Sequence, residues 1–221
     1  MERIIYNQRF MKPIQARVFE GTGYFELKEL VVNGYTPISL ANIMEQRILS
    51  WQLNEKELIE DWTKNNFNGH EGIVYHPNGK IKIIPEYHKL GGDLHHASLV
   101  TLNDTLFNEI SGIEFSKEEV EKYANKNLNL NEIVKNPILL ALVNEDRELL
   151  VEYVSQIYSR LNHFKFMRIN VYSNDNLPKF KALSPLVIAG IQNNSVIGCN
   201  TRMNFNSGGQ RFVGLENKIS K

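Results

Sequence analysis

The hydrophobic period of this chain switches four times between two and about 3.6, and that alternation limits the fold more than any other feature. Ile14–Glu20 and Tyr24–Val32 read as strands joined by Gly21-Thr22-Gly23 and closed by Asn33-Gly34. Leu40, Ile43, Met44, Arg47, Ile48 and Trp51 then fall on one helical face, with Ser39 as N-cap. A second helix is expected from Asn54, where Glu57 completes a capping box and Leu58, Ile59 and Trp62 supply the apolar face. Residues 63–69 read as a polar loop. Gly72–Tyr75 and Lys80–Ile84 form the clearest hairpin, because Asn78-Gly79 suits the positive φ angles of a tight turn.

From 104 to 162 the pattern is helical. Ser116 and Glu119 make a capping box, Asn136-Pro137 opens another helix, and Leu149, Leu150, Tyr153, Val154, Ile157, Tyr158 and Leu161 form a long apolar stripe. After 163 the chain returns to strands over Phe164–Tyr172, Lys179–Ile191, Val196–Phe205 and Arg211–Leu215, separated by short turns. The expected class is α+β: antiparallel sheets, made of N-terminal strands with a hairpin and a C-terminal β-meander, around a helical middle segment. A chain of 221 residues with 42% hydrophobic residues suits a single domain over 1–221. A subdivision near 100–105 would separate an N-terminal β/α part from a C-terminal part of helices and then meander.

Charge narrows the partners. Lys+Arg and Asp+Glu are both 25, so the net charge is +0, and wide contact with nucleic-acid phosphates is not favoured. The distribution is uneven: residues 100–160 carry 11 acids and 6 bases, whereas 161–221 carry 2 acids and 8 bases. The last third can therefore attract anions. The lone Cys199 forms no internal disulfide, the N-terminus shows no signal-type apolar region, and the longest apolar runs are too short for a bilayer. A cytoplasmic protein with no membrane partner is expected.

Two stretches can carry chemistry. Five of the six histidines, His70, His76, His88, His95 and His96, lie within 27 residues, and imidazole is both a common metal ligand and a natural general base. The string Tyr75-His76-Pro77-Asn78-Gly79-Lys80-Ile81-Lys82-Ile83-Ile84-Pro85, followed by His88 and His95-His96, resembles the core of HNH-type ββα-metal nucleases. The resemblance implies His76 as general base, with a divalent metal on His88 and on His95 or His96 to stabilise the scissile phosphate. It departs where Pro77 stands in place of a second histidine and where Gly91-Gly92 falls in the expected metal-binding helix.

The second stretch is Asn200–Arg211. Gly208 and Gly209 backbone N–H groups with Arg202 and Arg211 form a ligand- or anion-binding constellation for phosphate or carboxylate. No nucleophile elbow, zinc-binding His-Glu-x-x-His, Cys-x-x-Cys or dinucleotide glycine motif occurs. The leading expectation is a non-catalytic binding or regulatory protein, of a kind phages and other mobile elements encode, acting through a protein partner or an anionic ligand. A metal-dependent nuclease using His70–His96 is the alternative, and a binder of a small anion is the third reading.

Overall fold

The computed structural model describes residues 2–7, 12–21, 29–90, 100–160, 166–172, 179, 181–188, 191, 194–198 and 210–216. Among these the strands are β1 (Glu2–Asn7), β2 (Lys12–Gly21), β3 (Tyr35–Pro37), β4 (Asn66–Tyr75), β5 (Ile81–Ile84), β6 (Val100–Thr101), β7 (Ile113–Phe115), β8 (Phe166–Asn170), β9 (Ala182–Ile188), β10 (Asn194–Gly198) and β11 (Gln210–Glu216). The helices are α1 (Leu40–Leu53), α2 (Lys56–Lys64), α3 (Asp104–Glu109), α4 (Lys117–Tyr123), α5 (Leu130–Ile133), α6 (Pro137–Leu142) and α7 (Arg147–Arg160), with a 3-10 turn at Tyr87–Leu90. The class is α+β, as the alternating periods predict.

The sheet is mixed, not purely antiparallel. Its main path runs β1-β2-β11-β4-β9-β10-β8, with β3 on β11, β5 between β4 and β7, and β6 on β9. β10 runs parallel to β8, and β11 runs parallel to β4. The expected C-terminal meander is corrected accordingly: β10 separates β8 from β9, and β11 leaves them to join β2, β3 and β4. Short turns suggest sequential pairing, but pairing is decided by which faces must be covered, and a strand's own pattern does not encode its partner.

β4 shows this covering directly. Ile73 and Tyr75 enter the larger buried cluster with α1, α6 and α7, whereas Val74 enters a smaller one with Ile84, Tyr87, Leu102, Ile110 and Phe212. Both faces of the strand are thus dry. Its register against β9 shifts between Asn68 and Gly72, a bulge that carries Gly69, His70 and Glu71. From that bulge the buried Glu71 carboxylate accepts the Leu40 N–H at 2.9 and 3.1 Å, at the start of α1. Ser39 caps the same helix by accepting from the Asn42 N–H, as expected.

Other local expectations are revised. Residues 29–32 are helical, not strand, and the turn at Asn33-Gly34 (φ +80° at Gly34) follows them; the remainder of the expected strand, 24–28, lies outside the described residues. Asn54 ends α1 in the left-handed conformation (φ 56°) and opens no helix; α2 begins at Lys56 with Glu55 as a cap that makes no side-chain bond. The expected loop 63–69 is the end of α2 and the first half of β4, where Asn68 is fully buried and its amide reaches the Arg211 carbonyl at 3.5 Å.

Arg47, at 0% exposure, joins three helices. Its Nε donates to the Trp62 carbonyl at 2.9 Å, its Nη1 to the Tyr153 hydroxyl at 2.9 Å, and its Nη2 to the Asn65 carbonyl at 3.4 Å. A guanidinium so placed satisfies carbonyls at the C-terminal end of α2 and faces the negative end of its dipole. Arg47→Met keeps much of the volume but strands these acceptors, so a loss of about 2–4 kcal/mol is expected in urea unfolding. A change within about 0.5 kcal/mol, the usual range for surface substitutions, would contradict that role.

Candidate functional site

The hairpin end of β4 holds the sequence-predicted His76. Tyr75 pairs with Ile81, the Gly79 N–H donates to the His76 carbonyl at 2.9 Å, and the His76 N–H donates to the Lys80 carbonyl at 3.0 Å. Gly79 takes φ +91°, which explains glycine there. The imidazole Nδ1 accepts the Asn78 N–H at 3.2 Å, and the ring meets the edge of Phe107 with centroids 5.5 Å apart.

Phe107 is the centre of the site. It is carried by α3, whose N-terminus is capped by Asn103 and whose C-terminal carbonyls are taken by Lys82. Lys82, 7% exposed on β5, donates to the Ile110 carbonyl at 2.9 Å and the Phe107 carbonyl at 3.4 Å. Its ammonium lies 3.3 Å from the Glu114 carboxylate and 4.8 Å from the Phe107 ring centroid. The Lys181 ammonium stands 4.6 Å from the same ring and 2.6 Å from the Asp104 carboxylate. An aromatic face favours cations at such distances.

Val74, His76, Asn78, Lys80, Lys82 and Glu114, with Ile81 and Phe107, enclose a cavity of about 150 Å³. Lys82 and Lys181 have carboxylate partners, whereas the exposed Lys80 has none within ion-pair distance among the described residues. The Lys181 hydrogen bond, followed by its charge and that of His76, holds the Asp104 carboxyl below the ordinary value of 3.8.

The same architecture occurs elsewhere with a different sequence. A solved structure showing accommodation of massive sequence variation in Nanoarchaeota by the C-type lectin fold matches this chain with a TM-score of 0.62. The fold is a C-type lectin fold. Identity is 12%, over 92% of this chain and 98% of that one, so the shared feature is the backbone arrangement. No family model and no curated protein sequence matches the chain.

Arg211, on β11, pairs its Nη1 with Asp61 of α2 and so ties the sheet to a helix. Arg202, Gly208, Gly209, His95 and His96 lie outside the described residues, as does the His88 side chain. His70 sits in the β4 bulge, its Nε2 3.3 Å from Glu71. Among the described residues no group of three or more His, Cys, Asp or Glu side chains is arranged to hold a metal ion. No helix among them is long and apolar enough to cross a membrane.

Phe107, Lys82, Lys181 and Asp104 escaped the sequence reading. Lys82 did leave a signal, since a lysine inside the apolar run Ile81-Lys82-Ile83-Ile84 needs a reason to be buried. Nothing local links Asp104 to Lys181, which are 77 residues apart.

The Asp104 contact has a defined pH sense. A depressed aspartate pKa favours the folded state above 3.8 and loses that contribution as pH falls through the lower folded value. An NMR titration is expected to place the Asp104 midpoint below 3.8 and to move it back toward 3.8 in Lys181→Ala. An unmoved midpoint would dissociate the shift from Lys181.

Proposed function

We propose that this chain is a non-catalytic binding protein that takes an anionic group of its partner at the hairpin end of β4. The carrying observation is the hydrogen bond from the Asn78 N–H to His76 Nδ1. In neutral imidazole it assigns the remaining proton to Nε2, making that atom a donor. A donor beside Lys80 suits an anion, whereas a general base needs an unprotonated nitrogen.

The scaffold supports this reading. Lys82 satisfies the C-terminal carbonyls of α3 and fixes Phe107, so the cavity wall is set before a ligand arrives. The structure with the same fold is described as accommodating massive sequence variation. By analogy, buried anchors such as Arg47 and Glu71 let this chain's surface be adapted to a partner without rebuilding the core.

Thermal melting against a panel of small carboxylates and sulfates is the test. A binding anion raises the melting temperature, by about 2.7 kcal/mol of stabilisation at a hundredfold excess over Kd. The gain is expected to disappear in His76→Ala and in Lys80→Glu. No stabilisation across the panel would remove the proposal. Metal-dependent DNA cleavage lost in His76→Ala would replace it with the nuclease alternative.

A further inference from the structure

A second cavity lies on the helical side, away from the hairpin. It measures about 450 Å³ and is lined by Lys122, Tyr123, Lys126, Asn131, Glu132 and Lys135, with Leu128 and Asn129. Residues 100–160 carry only 6 bases against 11 acids, yet three of those bases meet at this one groove. Lys64, Lys82, Lys89, Lys117 and Lys181 each stand beside a carboxylate. Among the described residues, Lys122, Lys126 and Lys135 do not; Lys122 lies 4.9 Å from the Tyr123 ring centroid instead. The lining acid, Glu132, already accepts the Asn129 N–H at 2.9 Å in a capping box.

The groove is also held in shape. The Asn125 N–H donates to the Ile169 carbonyl at 2.8 Å, and the Asn125 side chain accepts from the Val171 N–H at 2.8 Å. The Leu128 N–H donates to the Met167 carbonyl at 2.9 Å, which fastens the segment between α4 and α5 to β8. Asn136 reaches back to the Tyr123 carbonyl at 2.8 Å. Arg168, hydrogen-bonded to Asn127 at 3.0 Å through Nε, adds a further cation beside this segment. Convergent cations on a fixed backbone avoid much of the ordering cost of binding.

We propose that this groove binds a small phosphate-bearing anion, an ester or a short polyphosphate. A carboxylate brings one charge and leaves most of the ammoniums uncompensated, whereas a phosphate group brings up to two charges and several acceptor oxygens that separate lysines can share. A long polyanion is disfavoured by charge, because residues 100–160 as a whole carry 11 acids against 6 bases. The volume matches a small ligand rather than a bare ion.

Isothermal titration of the whole chain with tripolyphosphate tests this. Saturable one-site binding is expected, weakening as ionic strength rises, with affinity at least about tenfold lower in Lys126→Ala/Lys135→Ala. Lys56→Ala/Lys64→Ala, an equal charge loss elsewhere, is expected to bind as the parent does. All four lysines are exposed, and unchanged thermal melting of both variants verifies folding. Arms with adenosine triphosphate and with phosphoinositide vesicles tell a soluble ester from a lipid headgroup. Absence of saturation, equal weakening in both double variants, or tighter binding of a single-stranded oligonucleotide than of tripolyphosphate would overturn the proposal.

Discussion

The bulge in β4 fixes the rest of the structure. Between Asn68 and Gly72 the strand changes register against β9, and the displaced residues turn Glu71, 2% exposed, toward the start of α1. Its carboxylate takes the Leu40 N–H, the His70 N–H donates to the Ile38 carbonyl at 3.0 Å, and the Ile38 N–H donates to the Val213 carbonyl at 2.8 Å. The entry to α1 is thereby clipped between two strands that are neighbours in the sheet. A buried carboxylate is costly unless its lone pairs are filled, and the positive end of a helix is one place where that cost is offset. Glycine at 69 leaves room for this clip, since a Cβ there would press on the Glu71 carboxylate and stand 2.9 Å from the Leu40 side chain.

The entry of α1, held by β4 and β11, and the exit of α2, held by Arg47, rest on a few buried polar groups. The aliphatic core around them contributes area burial, which is tolerant of exchange at constant volume. That division of labour is consistent with one backbone arrangement at 12% identity in two chains. It also leaves the hairpin turn, α3 and the α4–α5 segment as surfaces whose chemistry is set by few residues.

Most local signals were legible and the nonlocal ones were not, although the box expected at Asn54–Glu57 and the strand expected over 29–32 were also misread. Asn78-Gly79, the Ser116–Glu119 box and Asn136-Pro137 act within a few residues, and the structure shows each as read. Asn66 and Asn68 hid the start of β4, because polar residues in a strand mimic a loop unless their partners across the sheet are known. The parallel pairs β8–β10 and β4–β11 join segments far apart in sequence, so no turn residue announces them. At the candidate site, His76 stood out by residue type, but Phe107 reads as one more aromatic. Its importance comes from the two ammoniums and the imidazole that the fold brings to its ring.

In the proposed function the hairpin end of β4 meets an anionic partner while the buried clips stay in place. Titration of isotope-labelled protein with citrate, followed by amide chemical shifts, addresses it most directly. Saturable shifts confined to His76–Lys82 and Asp104–Phe107, with Leu40 and His70 unmoved, are predicted. No shift at the hairpin, or shifts that spread through α1 and the β4 bulge, would contradict it.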